Sequence, residues 1–164
     1  STNFTLDHGS FGTYLMSSTY SGTNYKRSGC QSYNINNAAI QILLMKPNYC
    51  RSRYMVGLNC EQYYLANYEY VSGMLFANRI STNDLKMYMN GNQRLSTNYP
   101  TSIIPDQTIY FLCMHSVTGG GAFWCVDDIC SFGFLGRGLT TTEIGYITNN
   151  LEEFLNARKM GVIP

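Results

Sequence analysis

Charge is what this sequence has least of. Lys, Arg, Asp and Glu make up 13% of the chain, about half of the ~25% found in ordinary globular proteins. The formal net charge is +1 over 164 residues. The basic residues are scattered, so there is no footprint for neutralising a phosphate backbone, and no nucleic-acid partner is expected. Long hydrophobic runs are missing too. A stretch such as 42–45 is among the longest, against the ~20 apolar residues of a membrane span, so no membrane insertion is expected. No secretion leader is visible, and a chain running from Ser1 to Pro164 without an initial Met suits one module of a longer polypeptide.

Metal and redox signatures are also absent. None of the six cysteines stands in a Cys-x-x-Cys pair, and neither they nor His8 and His115 show the spacing of a structural zinc site. Cys125 and Cys130 flank Asp127-Asp128. A two-residue turn there would set the thiols opposite each other, within reach of a disulfide. The alternative is reduced thiols packing as small hydrophobes.

Uncharged polarity and tyrosine fill the gap. The apolar fraction is 45%, with fourteen tyrosines and abundant Asn, Ser and Thr. A surface this poor in charge is expected to meet other chains, glycans or a larger assembly. Strand signals recur as short β-branched and aromatic runs between Gly, Asn, Ser and Pro clusters, the rhythm of an all-β sandwich or barrel. Strands are predicted at 12–17, 30–35, 38–45, 53–59, 73–78, 84–89, 108–115, 122–126 and 129–135, and the length fits one domain over 1–164. Within 85–89, Leu85, Met87 and Met89 alternate with Lys86 and Tyr88, predicting one buried and one wet face. Asn90-Gly91 is a strong type I′ hairpin signal, returning the chain through 93–95. The tyrosine-rich stretch 63–70 carries no clear signal.

Beyond Leu135 the period changes to that of a helix. Thr140 and Glu143 have capping-box spacing. Ile144, Ile147, Leu151, Phe154 and Leu155 form an apolar stripe, Arg158 and Lys159 suit the negative end of the helix dipole, and Gly161 is the expected stop.

Glycoside hydrolysis needs two carboxylates across one bond. No two of the ten acidic residues fall at i, i+2 or i+4 on a predicted strand, and there is no Gly-x-Ser-x-Gly elbow to recruit His8 or His115. An enzyme is therefore not expected. Asp127 and Asp128 are candidate calcium ligands, being oxygen donors on a loop, or else simply a turn. A sugar site needs an aromatic platform with amide and hydroxyl partners. Tyr63, Tyr64, Tyr68, Tyr70 and Trp124 are the candidates, against the alternative that they are half-buried or core aromatics.

The order of motifs adds a family. Asp7-His8-x-x-Phe11-Gly12-x-Tyr14 comes first, then Gly73 to Arg79 and Leu85-Lys-Met-Tyr-Met-Asn-Gly91. Ile104-Pro105-Asp106 before the strand Ile109 to Leu112, and Phe134-Leu-Gly-Arg-Gly-Leu-Thr140-x-x-Glu143, complete it. Together they resemble the concanavalin A-like or laminin G-like jelly-roll domains of bacteriophage tail-fibre and head-decoration proteins. The resemblance implies an all-β jelly-roll β-sandwich of two antiparallel sheets with one C-terminal amphipathic helix. It implies a non-enzymatic carbohydrate-binding or host-surface-binding module of a virion fibre, a homo-oligomer on the particle surface contacting host-cell glycans and other virion subunits. A purely structural capping domain and a glucanase-type hydrolase are the alternatives. The calcium and manganese ligand cluster of the lectin members is not matched, nor is the Glu-x-Asp-x-x-Glu triplet of the glucanases.

Overall fold

In the computed structural model, the described residues are 4–17, 26–33, 39–46, 53–60, 63–66, 72–102, 104, 110–111, 114–115, 122–123, 129–161 and 163. They are mostly β. The strands are β1 (Gly9–Ser17), β2 (Lys26–Tyr33), β3 (Ala39–Lys46), β4 (Arg53–Cys60), β5 (Tyr63–Ala66) and β6 (Gly73–Arg79), followed by β7 (Leu85–Met89) and β8 (Asn92–Thr97). Next come β9 (Tyr110–Phe111), β10 (Met114–His115), β11 (Ala122–Phe123) and β12 (Ile129–Gly136), and the helix α1 (Thr141–Ala157) ends the series. One five-stranded sheet runs β12-β1-β6-β7-β8, a second runs β5-β4-β3-β2-β9, and β10 pairs with β11. All pairings are antiparallel.

Every predicted strand overlaps an observed one, with shifts of a few residues at the ends. The single strand expected at 108–115 is described as two: β9 pairs with β2, and β10 with β11. The unassigned stretch 63–70 contributes β5, which pairs with β4. At the β7–β8 hairpin, Asn90 and Gly91 have φ of 50° and 77°, the positive pair that a type I′ turn demands.

β6 is buried along its whole length, so both faces of the first sheet are covered there. On one face Phe11, Leu15, Leu75, Ala77, Leu85, Met87 and Met89 are all buried, and β3 and β4 of the second sheet approach β6. The other face carries α1. Tyr14, Met74, Phe76, Tyr88 and Leu139 pack there with Ile144 and Leu155 of the helix, and Phe76 meets Phe134 edge-to-face at 5.0 Å between centroids. The expected wet face of β7 is thus corrected: Tyr88 is 1% exposed and its hydroxyl lies 3.1 Å from Thr141 Oγ1. Strand alternation reveals two faces, but the docked helix decides that the second is covered at Tyr88, while Lys86 stays partly exposed.

The start of α1 is built as its sequence predicts. The Thr140 hydroxyl accepts from Glu143 N–H at 3.2 Å, while Glu143 Oε2 accepts from Thr140 N–H at 2.8 Å. Arg137 grips both oxygens of the same carboxylate. The Arg137 hydrogen bonds, then those from Thr140, hold the Glu143 pKa down at about 2, against an ordinary 4.5. Because the folded value is depressed, the stabilisation is complete above 4.5 and is lost as pH falls toward 2. The difference in thermal midpoint between the wild type and Glu143→Gln is therefore expected to shrink across that window and to be constant above it. A difference that grew with acid would contradict the assignment.

The far end of α1 departs from expectation. Arg158 is the C-cap, and Lys159, not Gly161, takes the left-handed conformation with φ 58°. Met160 N–H bonds Leu155 O at 2.8 Å and Lys159 N–H bonds Asn156 O at 2.9 Å, the pair of bonds that defines a Schellman motif. A non-glycine residue there is strained. Lys159→Gly is expected to raise unfolding free energy by about 0.5–1 kcal/mol in urea denaturation, the relief of strain outweighing glycine's extra entropy in the unfolded chain. Phe154, placed on the apolar stripe by its spacing, is 54% exposed and supports the Arg158 guanidinium at 4.8 Å. Arg158 and Lys159 consequently lie just past the last turn instead of within it.

Candidate functional site

The buried face of α1 is not purely apolar. Ile144 and Leu155 bracket Thr148 and Glu152, both also buried. Spacings of three and four residues put all of them on one side of the helix. A buried carboxylate requires partners, and Glu152 has them: Oε2 accepts from the Tyr14 hydroxyl of β1, and Oε1 accepts from Ile163 N–H at 3.1 Å. Thr148 sends its hydroxyl proton back to Ile144 O at 2.8 Å, which leaves the lone pairs of its oxygen as acceptors.

These groups form one wall of a cleft of about 360 Å³, lined by Asn90, Thr148, Asn149, Glu152, Glu153 and Asn156, with Ile163 at its apolar edge. The opposite wall is the hairpin turn. Asn90 Oδ1 accepts from Met74 N–H at 2.8 Å and its Nδ2 donates to Ser72 O at 3.2 Å, so the amide is held in place before any ligand arrives. Glycine lets the segment after the helix close the floor, because a Cβ on Gly161 would collide with Asn156 Oδ1 and Glu152 Oε1. Asn149, Glu153 and Asn156 are exposed at the rim. The cleft offers three amides, a hydroxyl and two carboxylates. That set can make directional hydrogen bonds to a hydroxyl-rich ligand, and its volume lies at the small end of the range for small-molecule sites.

Of the residues singled out by sequence, two fall among the described residues. Tyr63 and Tyr64 stand on β5, an outer strand of the second sheet, in register with Val56 and Met55. Tyr68, Tyr70, Trp124, Asp127 and Asp128 lie outside the described residues. Among the described residues, no group of three or more His, Cys, Asp or Glu is placed to hold a metal ion. Cys130 carries a free thiol, 2.9 Å from Thr13 Oγ1, and Cys125 lies outside the described residues. His8 Nδ1 accepts from Gly138 N–H at 3.0 Å, tying the N-terminal segment to the approach to α1.

The cleft was legible as a second pattern. Thr148, Asn149, Glu152, Glu153 and Asn156 form a polar stripe at helical spacing beside the apolar one. Nothing in that stripe distinguishes a lined cleft from an ordinary solvated face until Asn90 and Ile163 are brought against it.

The sequence matches no protein-family model and no curated protein. Among solved structures it is similar to the CBM40 of Ruminococcus gnavus IT-sialidase bound to alpha2,3 sialyllactose. The TM-score is 0.50 at 13% identity, over 87% of this chain and 83% of that one. The same module bound to alpha2,6 sialyllactose gives a TM-score of 0.50 at 12% identity, over 87% and 84%. The receptor-binding domain of botulinum neurotoxin mosaic serotype C/D gives 0.54 at 14% identity, over 88% of this chain and 36% of that one. At such identities the likeness is one of fold, and what it establishes is a mostly β, lectin-like architecture carrying one helix.

Proposed function

We propose that this domain is a non-catalytic glycan-binding module and that the cleft beside α1 is where a sugar docks. The observation that carries the reading is the cleft's lining: an Asn90 amide and a Glu152 carboxylate held in place, with further amides and a carboxylate at the rim, on a lectin-like fold. Asn side chains present a donor and an acceptor side by side, matching neighbouring ring hydroxyls, and the exposed Glu153 carboxylate accepts from further hydroxyls. Among the described residues no aromatic lines the cleft, so each of their contacts is an exchange of water hydrogen bonds for sugar hydrogen bonds, with a small net gain. Affinity per site is therefore low, and repeated copies supply the strength, about 10²–10⁴ in avidity.

Binding without turnover is favoured by the carboxylates themselves. Glu152 has both oxygens engaged by Tyr14 and Ile163, and Glu153 is its neighbour on the same helix, not a partner across a scissile bond. We read the two five-stranded sheets as stacked into a jelly-roll sandwich, and the setting as a phage fibre on the virion surface, where copies of the chain assemble with other virion subunits. Calcium at Asp127 and Asp128 belongs to the same proposal.

A glycan array of bacterial capsule and outer-membrane polysaccharides, run with fixed cells, with and without EDTA, and with an assay for released sugar, tests the reading. Binding without release is expected, and Asn149→Trp, which fills the cleft from an exposed position, is expected to reduce it at least tenfold. Sugar release would make the domain a hydrolase. Absence of binding to every surface would favour a second reading, a structural cap. One observation supports that alternative: β12 is an outer strand of the first sheet, free of charged residues, with Phe132 37% and Leu135 45% exposed.

A further inference from the structure

The cleft has a sign. Among the described residues its lining contains Glu152 and Glu153 and no cationic side chain. Glu152 has no ion-pair partner among the described residues: its partners are the Tyr14 hydroxyl and a backbone N–H. The nearest basic residues in sequence turn elsewhere. Arg158 lies six residues beyond Glu152, about 240° round a helix, and its guanidinium sits on the Phe154 ring at 4.8 Å. Lys159 belongs to the left-handed turn after the helix. Of the lining residues, Asn156 lies in the last turn of α1, where the helix dipole places partial negative charge. Two carboxylates and a helix C-terminus thus act in one direction.

From this arrangement, and resting on the glycan-binding reading, we infer that the cleft selects an amino sugar in its ammonium form and turns acidic sugars away. The ammonium is held by Glu153 at the rim, while the amides of Asn90, Asn149 and Asn156 take the ring hydroxyls. A sugar carboxylate in the same place meets the like charge of Glu152 and Glu153, and among the described lining residues only the neutral amide N–H groups of the asparagines to accept from. The specificity is opposite in sign to that needed for the sialylated ligands bound by the similar CBM40 structures.

The test is a calorimetric titration of the purified domain with three probes: chitotriose with free amines, its N-acetylated counterpart, and α2,3 sialyllactose. Each is run at low and at physiological salt. The free-amine sugar is expected to bind about twofold to fivefold tighter than the N-acetylated one, the range of a single exposed ion pair. That gap should close with added salt and in Glu153→Gln. Sialyllactose should show no binding that Asn149→Trp removes. Both substitutions fall at exposed helix positions, and unchanged thermal midpoints would show that the fold is intact. The inference is overturned if sialyllactose binds the wild type as tightly as the amine and loses that binding in Asn149→Trp, or if the amine's advantage survives in Glu153→Gln. Sugar binding unaffected by Asn149→Trp also overturns it, leaving glycan binding to another surface. If none of the three probes and no array glycan binds, the glycan reading itself fails.

Discussion

Glu152→Ala is expected to cost about 2–5 kcal/mol of stability and to remove sugar binding in the same step. The carboxylate is buried between α1 and β1, where it accepts from the Tyr14 hydroxyl and from Ile163 N–H. Removing it takes away the acceptor from two groups at once and opens a void where the side chain lay. A buried donor left without a partner costs ~1–3 kcal/mol, which sets the range. Glu152→Gln keeps one acceptor oxygen for Ile163, and its amide can still meet the Tyr14 oxygen, so about half that loss is expected. Tyr14→Phe removes one hydroxyl and should also be milder than Glu152→Ala. Urea denaturation of the singles and of Tyr14→Phe/Glu152→Ala makes a double-mutant cycle, with a coupling of about 1–3 kcal/mol expected for groups in direct contact. Additive losses would show that the Tyr14–Glu152 bond contributes nothing to the docking of the helix.

Phe76→Ala should be the most damaging apolar change. The ring is fully buried at the centre of the face that receives α1, and its edge-to-face partner Phe134 would lose its support. Truncating a buried phenylalanine costs about 3–5 kcal/mol, the lost transfer energy plus the cavity left behind. For a chain of this length that is roughly 6–20 °C in thermal midpoint. Phe76→Leu, which fills most of the volume, is expected to cost less than half as much. Hydrogen exchange separates two ways of failing. If α1 amides lose protection before those of β6, the helix undocks as a unit and takes the cleft wall with it. Equal loss across both would mean that helix and sheet unfold together.

Several features were readable because their causes are local. Asn90-Gly91 adopts positive φ at both residues wherever a tight hairpin is needed, and Thr140 with Glu143 caps a helix through atoms three residues apart. The period of two in β7 and the change of period after Leu135 identify strand and helix from neighbouring residues alone. Features that failed depend on what arrives from far along the chain. Lys86 and Tyr88 have the alternation of a solvated face, yet Tyr88 is buried because α1, more than fifty residues later, covers it. Phe154 fits the apolar stripe by spacing and still points to solvent, because the face that the helix actually buries runs through Ile144, Thr148, Glu152 and Leu155, turned away from it. Gly161 looked like the helix stop, but the left-handed turn falls at Lys159 and the glycine is used for close approach to Glu152 instead.

The sequence by itself determined the class of this protein: short alternating strands and one capped helix at the end. Those properties follow from periodicities and caps that act over fewer than ten residues. The tertiary structure decided the cleft. Asn90, Tyr14, Glu152 and Ile163 are scattered along the chain, and each alone is an ordinary turn residue, core aromatic, helix acid or aliphatic. Packing α1 across β1, β6 and β7 brings them together, and the cost of burying a carboxylate without partners is what holds Tyr14 and Ile163 against Glu152.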